Sequence, residues 1–286
     1  MGIVGSYFFK SEGNLMTNQY PLGIFSWFGY VLPFPERLRL INEAGFAATS
    51  IWWEDEDTPW QIKKESMPKL VKEMGLILEN LHVPYNDSSE MWSENKSVRS
   101  GFIQRHIRWL QDCAGYGIPM MVMHLTEGIT TPQPNGYGAE SMLELVKVAE
   151  KLGVTIAIEN TRRNDNVPYL LSKIPSSYLG FCYDSSHYFL TDKLDFHLFD
   201  NYGERLVTTH LSDNDGLEDR HWLLEEGIID WSQVARHFPT SYRGCLTLEA
   251  YPTAEEREGS PQLFLKRALQ KLITLQSLVE LESSTK

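Results

Sequence analysis

The sequence contains nine residues that could bind a cation or carry a proton, and most of them end a short run of apolar residues. In Val122-Met123-His124 and in Ile156-Ala157-Ile158-Glu159, bulky or β-branched residues lead directly to the polar side chain. Each is ambiguous alone, since Glu159 or Asp184 could equally cap a following helix. As a set they indicate chemistry at strand ends, and the set is His82, His124, Glu159, Asp184, His187, His210, Asp219, His221 and Glu249.

Eight segments have the composition of buried β-strands, and segments with helical spacing of apolar residues separate them. The predicted strands are residues 23–27, 47–52, 76–82, 120–124, 155–159, 178–183, 206–210 and 245–249, and the predicted helices are residues 35–45, 67–74, 97–113, 139–152, 231–238 and 263–281. This alternation favours a parallel sheet with right-handed crossovers. An open doubly wound sheet often has a Gly-rich phosphate turn after its first strand, which this chain lacks, so we predict a (β/α)8 TIM barrel.

Such a barrel brings the carboxyl ends of its strands to one face, where active sites form. Four residues at the ends of predicted strands would then project toward one point, namely Glu159, Asp184, His210 and Glu249. Three carboxylates within about 4–6 Å of one another repel unless a positive charge lies between them. A divalent cation such as manganese, zinc, cobalt or magnesium is the simplest remedy. We expect His106, His197 and His237, which fall outside the strand ends, to lie away from this site.

Length, composition and charge are those of one ordinary globular domain. The 286 residues are close to the usual size of one such barrel, so we treat residues 1–286 as a single domain with residues 1–19 as an N-terminal extension. No apolar stretch is long enough to cross a bilayer, and three distant cysteines predict no disulfide framework, so a cytoplasmic location is the default. A net charge of −12 disfavours nucleic acid as a partner without excluding a local basic cleft. Homo-oligomer formation stays open.

Several motifs resemble the superfamily of xylose isomerase-like TIM barrels, which unites sugar and sugar-phosphate isomerases and epimerases with the endonuclease IV family. The resemblance covers roughly residues 20–275 and rests on motifs at the predicted strand ends and in the loops that follow. These are Ile158-Glu159-Asn160, Asp184-x-x-His187, the segment HLSDNDG from His210, Asp219-x-His221, the segment GIIDW from Gly227, and the strand-ending Glu249.

In the isomerase and epimerase branch, the resemblance implies one divalent metal held by Glu159, Asp184, His210 and Glu249. Glu159 and Glu249 would be the catalytic residues, and a proton of the sugar would pass between these two metal-bound carboxylates on opposite faces. His187 would hydrogen-bond a substrate oxygen. In the endonuclease branch, all nine residues would instead hold three metals that hydrolyse abasic-site DNA. There His82 and His124 share a metal with Glu159, while His187, Asp219 and His221 hold another.

Departures from both patterns bear on the choice between these branches. Where the endonucleases are Gly-rich, Thr161 is followed by charged and polar residues 162–165, and residues 184–188 lack the endonuclease continuation. On the other side, residues 225–227 replace a usual Gly-x-Gly, and the Arg that often follows the seventh strand of ketose 3-epimerases is missing. We predict a metal-dependent sugar or sugar-phosphate isomerase or epimerase. The alternatives are an endonuclease IV-like hydrolase of abasic-site DNA and a non-catalytic binding protein on the same scaffold.

Substrate contacts are predicted from aromatic and basic residues near strand ends. Trp53 could pack against a sugar ring and Arg162 could meet a phosphate, although packing and solvent exposure are their ordinary roles. The long irregular stretches 85–96 and 212–230 follow strands that carry candidate ligands, so we expect them to be active-site loops. Further aromatic candidates near strand ends are Trp27, Trp52, Tyr85 and Trp92.

Overall fold

Eight parallel strands alternate with helices along the chain and form the wall of a barrel. The computed structural model describes residues 20–128, 131–161, 163–193 and 195–286. The strands β1 to β8 are Leu22–Phe25, Ala48–Trp52, Ile77–His82, Met120–His124, Thr155–Glu159, Leu179–Asp184, Leu206–His210 and Leu246–Leu248. They pair in the order β7-β6-β5-β4-β3-β2-β1-β8, and a bridge between Leu211 and Leu248 joins the two ends. The predicted single-domain (β/α)8 TIM barrel is confirmed.

The helices surround this wall and connect its strands. Helices α1 to α9 are Phe34–Ala44, Met67–Glu73, Lys96–Tyr116, Gly136–Leu152, Asn166–Lys173, Ser185–Asp192, His197–Tyr202, Trp231–His237 and Pro261–Ser283. The helices α5, α6 and α7, of 8, 8 and 6 residues, are too short for periodicity to reveal them from the sequence. No helix in the described part of the chain is long and apolar enough to span a bilayer. The predicted extension, residues 1–19, lies outside the described residues.

Glycines end α1 and α4 where the sequence predicts, whereas α3 continues through Gly115 and ends at Gly117. Gly45 after α1 has φ of 101° and Gly153 after α4 has φ of 70°, and each adopts the left-handed conformation that terminates a helix without steric cost. The chain then turns within three residues into β2 or β5. These tight turns fix where each strand starts and therefore which residue stands at its carboxyl end.

The barrel interior contains a polar layer made by Glu79 of β3. Its carboxylate accepts hydrogen bonds from Thr208 Oγ1 of β7 at 2.7 Å and from Thr247 Oγ1 of β8 at 2.6 Å. Burial raises the pKa of Glu79. This contact joins three strands across the barrel axis. His82 and His210 end two of those strands, and Glu249 directly follows the third.

Candidate metal centre

Six neighbouring strands each deliver one polar side chain to the same face of the barrel. Five of these residues are the last of β3 to β7 and the sixth directly follows β8, and they are His82, His124, Glu159, Asp184, His210 and Glu249. Register pairs His124 with Glu159 and Asp184 with His210, so neighbouring side chains point the same way. His187 joins them from the first turn of α6, and loop 212–230 supplies Asp219 and His221. The structure thus brings all nine candidate residues to one end of the barrel.

Glu159 lies at the centre of this cluster and is only 1% exposed. Its Oε2 atom lies 3.2 Å from His82 Nε2 and 3.1 Å from His210 Nδ1. Its Oε1 atom lies 3.4 Å from both His124 Nε2 and His187 Nδ1. One buried carboxylate is therefore shared by four imidazoles from four different parts of the chain.

A four-residue centre is formed by Glu159, Asp184, His210 and Glu249, whose potential ligand atoms all lie within 4.8 Å of one another. Asp184 Oδ2 and both ring nitrogens of His210 are buried and have no hydrogen-bond partner. Burying such groups without partners costs free energy, and a coordinated cation would remove that cost. The donor set therefore fits a divalent cation bound by three carboxylates and one imidazole.

The five other candidate residues form two groups beside this centre. His82 and His124 approach Glu159 closely enough to share a cation with it. Asp219 Oδ2 lies 3.0 Å from both His187 Nε2 and His221 Nε2, and Ser186 donates a hydrogen bond to Asp219 Oδ1. The donor types at this end of the barrel could accommodate more than one cation.

Asp184 is held in place by its backbone and by one carboxylate oxygen. Asn160 Oδ1 accepts a hydrogen bond from Asp184 N at 2.9 Å, and Asn160 Nδ2 donates to Asp184 O at 2.8 Å. Asp184 Oδ1 caps α6 by accepting from His187 N at 2.7 Å. Asp184 is thus a helix cap and a candidate ligand at once, because capping uses Oδ1 and leaves Oδ2 available.

The proton affinities in the centre follow from burial and from the closeness of opposite charges. Burial alone would raise the pKa of Glu159, but the His210 and His124 imidazoles hold it well below its usual range. Burial would lower the pKa of His210, yet Cys182 and two carboxylates raise it well above its usual value. Burial raises the pKa of Asp184 to about 7. The raised pKa values of His210 and His187 favour imidazolium forms, whose positive charges balance the carboxylates.

We expect the affinity for a divalent cation to increase as the pH rises through neutrality. Coordination requires deprotonated ligands, whereas His210 has a raised pKa and Asp184 titrates near pH 7, so cations and protons compete. Calorimetric titration with Mn²⁺ at about pH 6 and about pH 8 should show weaker binding at the lower pH and proton release on binding. Equal affinities at the two pH values would contradict this prediction.

Glu159 and Glu249 of the centre line a cavity of about 560 Å³ with aromatic walls. Trp52 stacks on the His82 ring with centroids 4.9 Å apart, and Tyr85 stacks on the His124 ring at 4.4 Å. A second cavity of about 570 Å³ adjoins it, and Tyr85 and His124 line both. The volume suits a small molecule, and aromatic surfaces suit the apolar faces of a sugar ring.

Two of the aromatic residues predicted to contact substrate lie in the core instead of the cavity. Trp53 is fully buried, its Nε1 donates to Asp112 Oδ2 at 2.8 Å, and it does not line either cavity. The structure therefore places Trp53 in the packing between β2 and α3 and gives it no contact with the cavity. Trp92 likewise donates to Leu125 O in the core. Arg162 lies outside the described residues.

Residues that line the first cavity include some that sequence reasoning missed. Tyr251 follows Glu249 by two residues, and that spacing was an available signal. Glu56 and Asp57 come from the connection after β2, where no motif pointed to them. His106, His197 and His237 lie on α3, α7 and α8, away from the centre.

Comparison with known proteins agrees with this architecture. The sequence model of the xylose isomerase-like TIM barrel family matches residues 38–268, and the chain belongs to that family. It is 26% identical over 249 residues to the uncharacterised protein y4fM of Sinorhizobium fredii, covering 74% of this chain and 79% of that protein. It is 24% identical over 277 residues to fructoselysine 3-epimerase of Escherichia coli O157:H7, covering 88% of this chain and 97% of the enzyme.

Solved structures share the fold. The structure of L-ribulose 3-epimerase superimposes with a TM-score of 0.70 at 16% sequence identity, covering 91% of this chain and 97% of that chain. At this identity the likeness concerns the barrel itself.

Proposed function

We propose that this protein is a metal-dependent isomerase or epimerase of a sugar or sugar phosphate. The observation that carries the proposal is the pair Glu159 and Glu249, two carboxylates that line one small cavity. Their Oε2 atoms lie 3.1 Å and 2.9 Å from His210 Nδ1. The strands β5 and β8 are separated by β6 and β7, so the carboxylates approach from different sides. Similarity to fructoselysine 3-epimerase supports sugar chemistry.

Both carboxylates are ionised at neutral pH, as a base must be before it can accept a proton. Burial would raise the pKa of Glu249, but His210 lowers it below its usual value, as His210 and His124 do for Glu159. An ionised carboxylate can remove a proton from a carbon beside a carbonyl, and the second carboxylate can exchange a proton on the opposite face. A divalent cation held by the four-residue centre would act as a Lewis acid on the carbonyl oxygen.

His187 is a fixed positive charge at the wall of the cavity. It lines the cavity, and its Nε2 atom is oriented by Asp219 Oδ2 at 3.0 Å. Burial would lower the pKa of His187, but the Asp184 and Asp219 carboxylates raise it well above its usual value. A protonated imidazole donates hydrogen bonds from both nitrogens, and those of His187 face Asn160 O at 3.2 Å and Asp219 Oδ2 at 3.0 Å. His187 would therefore act on a substrate oxygen through its positive charge rather than through a free N–H group.

Solvent exchange tests the proposal directly. In deuterated water, at least one member of a panel of ketoses, ketose phosphates and N-substituted ketosamines should incorporate deuterium at the carbon beside the carbonyl. The exchange should require added Mn²⁺, Co²⁺ or Zn²⁺ and stop with a chelator, and it is measured by proton NMR. If no sugar exchanges while the protein nicks an abasic duplex, the endonuclease alternative replaces the proposal. Tight sugar binding without exchange or nicking would indicate a binding protein.

A further inference from the structure

A third group of potential ligands contains a cysteine and shares two residues with the four-residue centre. Cys182 Sγ, one ring nitrogen of His210 and one carboxylate oxygen of Glu159 all lie within 4.8 Å of one another. All three residues are at most 1% exposed. We propose that this group is a second cation position, selective for soft divalent ions such as Zn²⁺ and Cd²⁺.

The strand register explains how the thiol comes to lie there. Cys182 precedes Asp184 by two residues on β6, so both side chains point to the barrel interior, about 7 Å apart along the strand. Cys182 is also the register partner of Glu159 on β5. The sulfur therefore lies one layer deeper than the Asp184 carboxylate and replaces it as a potential ligand.

The unpartnered imidazole of His210 is the second observation that points to a ligand here. Nδ1 lies between the Glu159 and Glu249 carboxylates at 3.1 Å and 2.9 Å, but neither contact has hydrogen-bond geometry. Nε2 is also buried without a hydrogen-bond partner. A neutral thiol is a weak donor and acceptor and does not satisfy such a group well. A cation bound by thiolate and imidazole would satisfy it.

The two positions differ in the ions that their donors favour. Three carboxylates and one imidazole suit Mn²⁺, whereas one thiolate with an imidazole and a carboxylate suits Zn²⁺ or Cd²⁺. The thiol releases its proton to solvent as the sulfur–metal bond forms. Glu159 and His210 belong to both positions, so a soft ion in the deeper one competes for these two residues with an ion in the upper one. Soft ions should therefore inhibit a Mn²⁺-activated protein.

Cadmium titration tests the deeper position without measuring activity. Metal-free full-length protein titrated with Cd²⁺ should develop the ultraviolet charge-transfer band of a cadmium–thiolate bond, saturating at one equivalent. Cys182→Ser should abolish the band. Cys113 and Cys245 are also buried and unpaired, so Cys113→Ser and Cys245→Ser are matched controls that should keep it. A wild-type protein without the band, or a Cys182→Ser variant that retains it, would overturn the inference.

A second variant covers the case in which Cys182→Ser fails to fold. The chain has three cysteines, so the double variant Cys113→Ser/Cys245→Ser leaves Cys182 as the single thiol. That variant must still show the band, and its absence there in folded protein also overturns the inference.

The expected inhibition by soft ions rests on the proposed function, but the deeper cation position and the proposed function can be refuted separately. Relative to its own uninhibited rate, Cys182→Ser should tolerate roughly tenfold more Cd²⁺ in Mn²⁺-dependent sugar exchange. Sugar exchange without a thiolate band would refute only the deeper position. A thiolate band in a protein that exchanges no sugar would refute the proposed function and leave the cation position standing.

Discussion

Glu249→Gln is expected to lower the rate of metal-dependent sugar exchange by about 10²–10⁴-fold, the usual contribution of a positioned acid or base. The substitution keeps the shape of the side chain but replaces the oxygen that lies 2.9 Å from His210 Nδ1 with a group that cannot accept a proton. Glu159→Gln should lose at least as much, because Glu159 also contacts four imidazoles. Initial rates of deuterium incorporation at saturating metal measure both effects.

Glu127→Gln is a suitable control for this loss. Glu127 lines the adjoining cavity, and its carboxylate lies 3.8 Å from His124 Nδ1, but it does not belong to the four-residue centre. Its exchange rate should stay within a few-fold of wild type. Metal content measured on each variant separates loss of the cation from loss of the base. A Glu249→Gln protein that keeps its metal and its full exchange rate would remove Glu249 from the proposed chemistry.

The positions of most candidate ligands could be predicted from the sequence, because each of these ligands stands at the end of a buried strand. The predicted strands 120–124, 155–159 and 206–210 coincide with β4, β5 and β7, so His124, Glu159 and His210 were placed at the correct end. Hydrophobic runs of this kind have few alternative registers, because a shift by one residue turns the apolar side chains the wrong way. The convergence of the ligands then follows from the barrel alone.

Side-chain direction at the edges of strands was harder to predict. Trp52 and Trp53 are adjacent, yet the ring of Trp52 lines the cavity, whereas Trp53 donates to Asp112 on α3. Successive residues of an extended chain point to opposite sides. An error of one residue in the predicted strand therefore moves a side chain from the cavity to the core. The same alternation places Cys182 and Asp184 on one face of β6. Because Asp184 was recognised as a ligand, the position of Cys182 two residues earlier could have been predicted from the sequence.

Loop residues depend on contacts that no local pattern encodes. Asp213 accepts hydrogen bonds from Ile229 N at 3.1 Å and from Trp231 Nε1 at 2.9 Å, which ties the two ends of loop 212–230 together. The sequence motif identified Asp219 and His221 as candidates. Asp219 lies 3.0 Å from His187 across 32 residues of sequence, a contact that the motif does not reveal.

Asp184→Asn is expected to stabilise the metal-free protein and to remove most of the stabilisation that added Mn²⁺ gives. Burial raises the pKa of Asp184 to about 7, so between about pH 4 and pH 7 the folded protein binds more protons at this site than the unfolded chain does. Stability from this group is therefore greatest at low pH and falls as the pH rises through 7, by roughly 2–4 kcal/mol. Asparagine avoids this loss and keeps the cap, because its carbonyl oxygen can still accept from His187 N.

Denaturant unfolding of wild type and variant at about pH 5 and about pH 8, with and without Mn²⁺, measures these effects. The metal-free variant should exceed wild type mainly at the higher pH, while Mn²⁺ at about 100 times its dissociation constant should add about 2.7 kcal/mol to wild type alone. Asp213→Asn is the matched control, since Asp213 is also buried but has hydrogen-bond partners for both oxygens. It should lose stability at both pH values and keep the Mn²⁺ increment. An Asp184→Asn protein that is no more stable than wild type at the higher pH, and gains as much from Mn²⁺, would show that Asp184 is an ordinary helix cap.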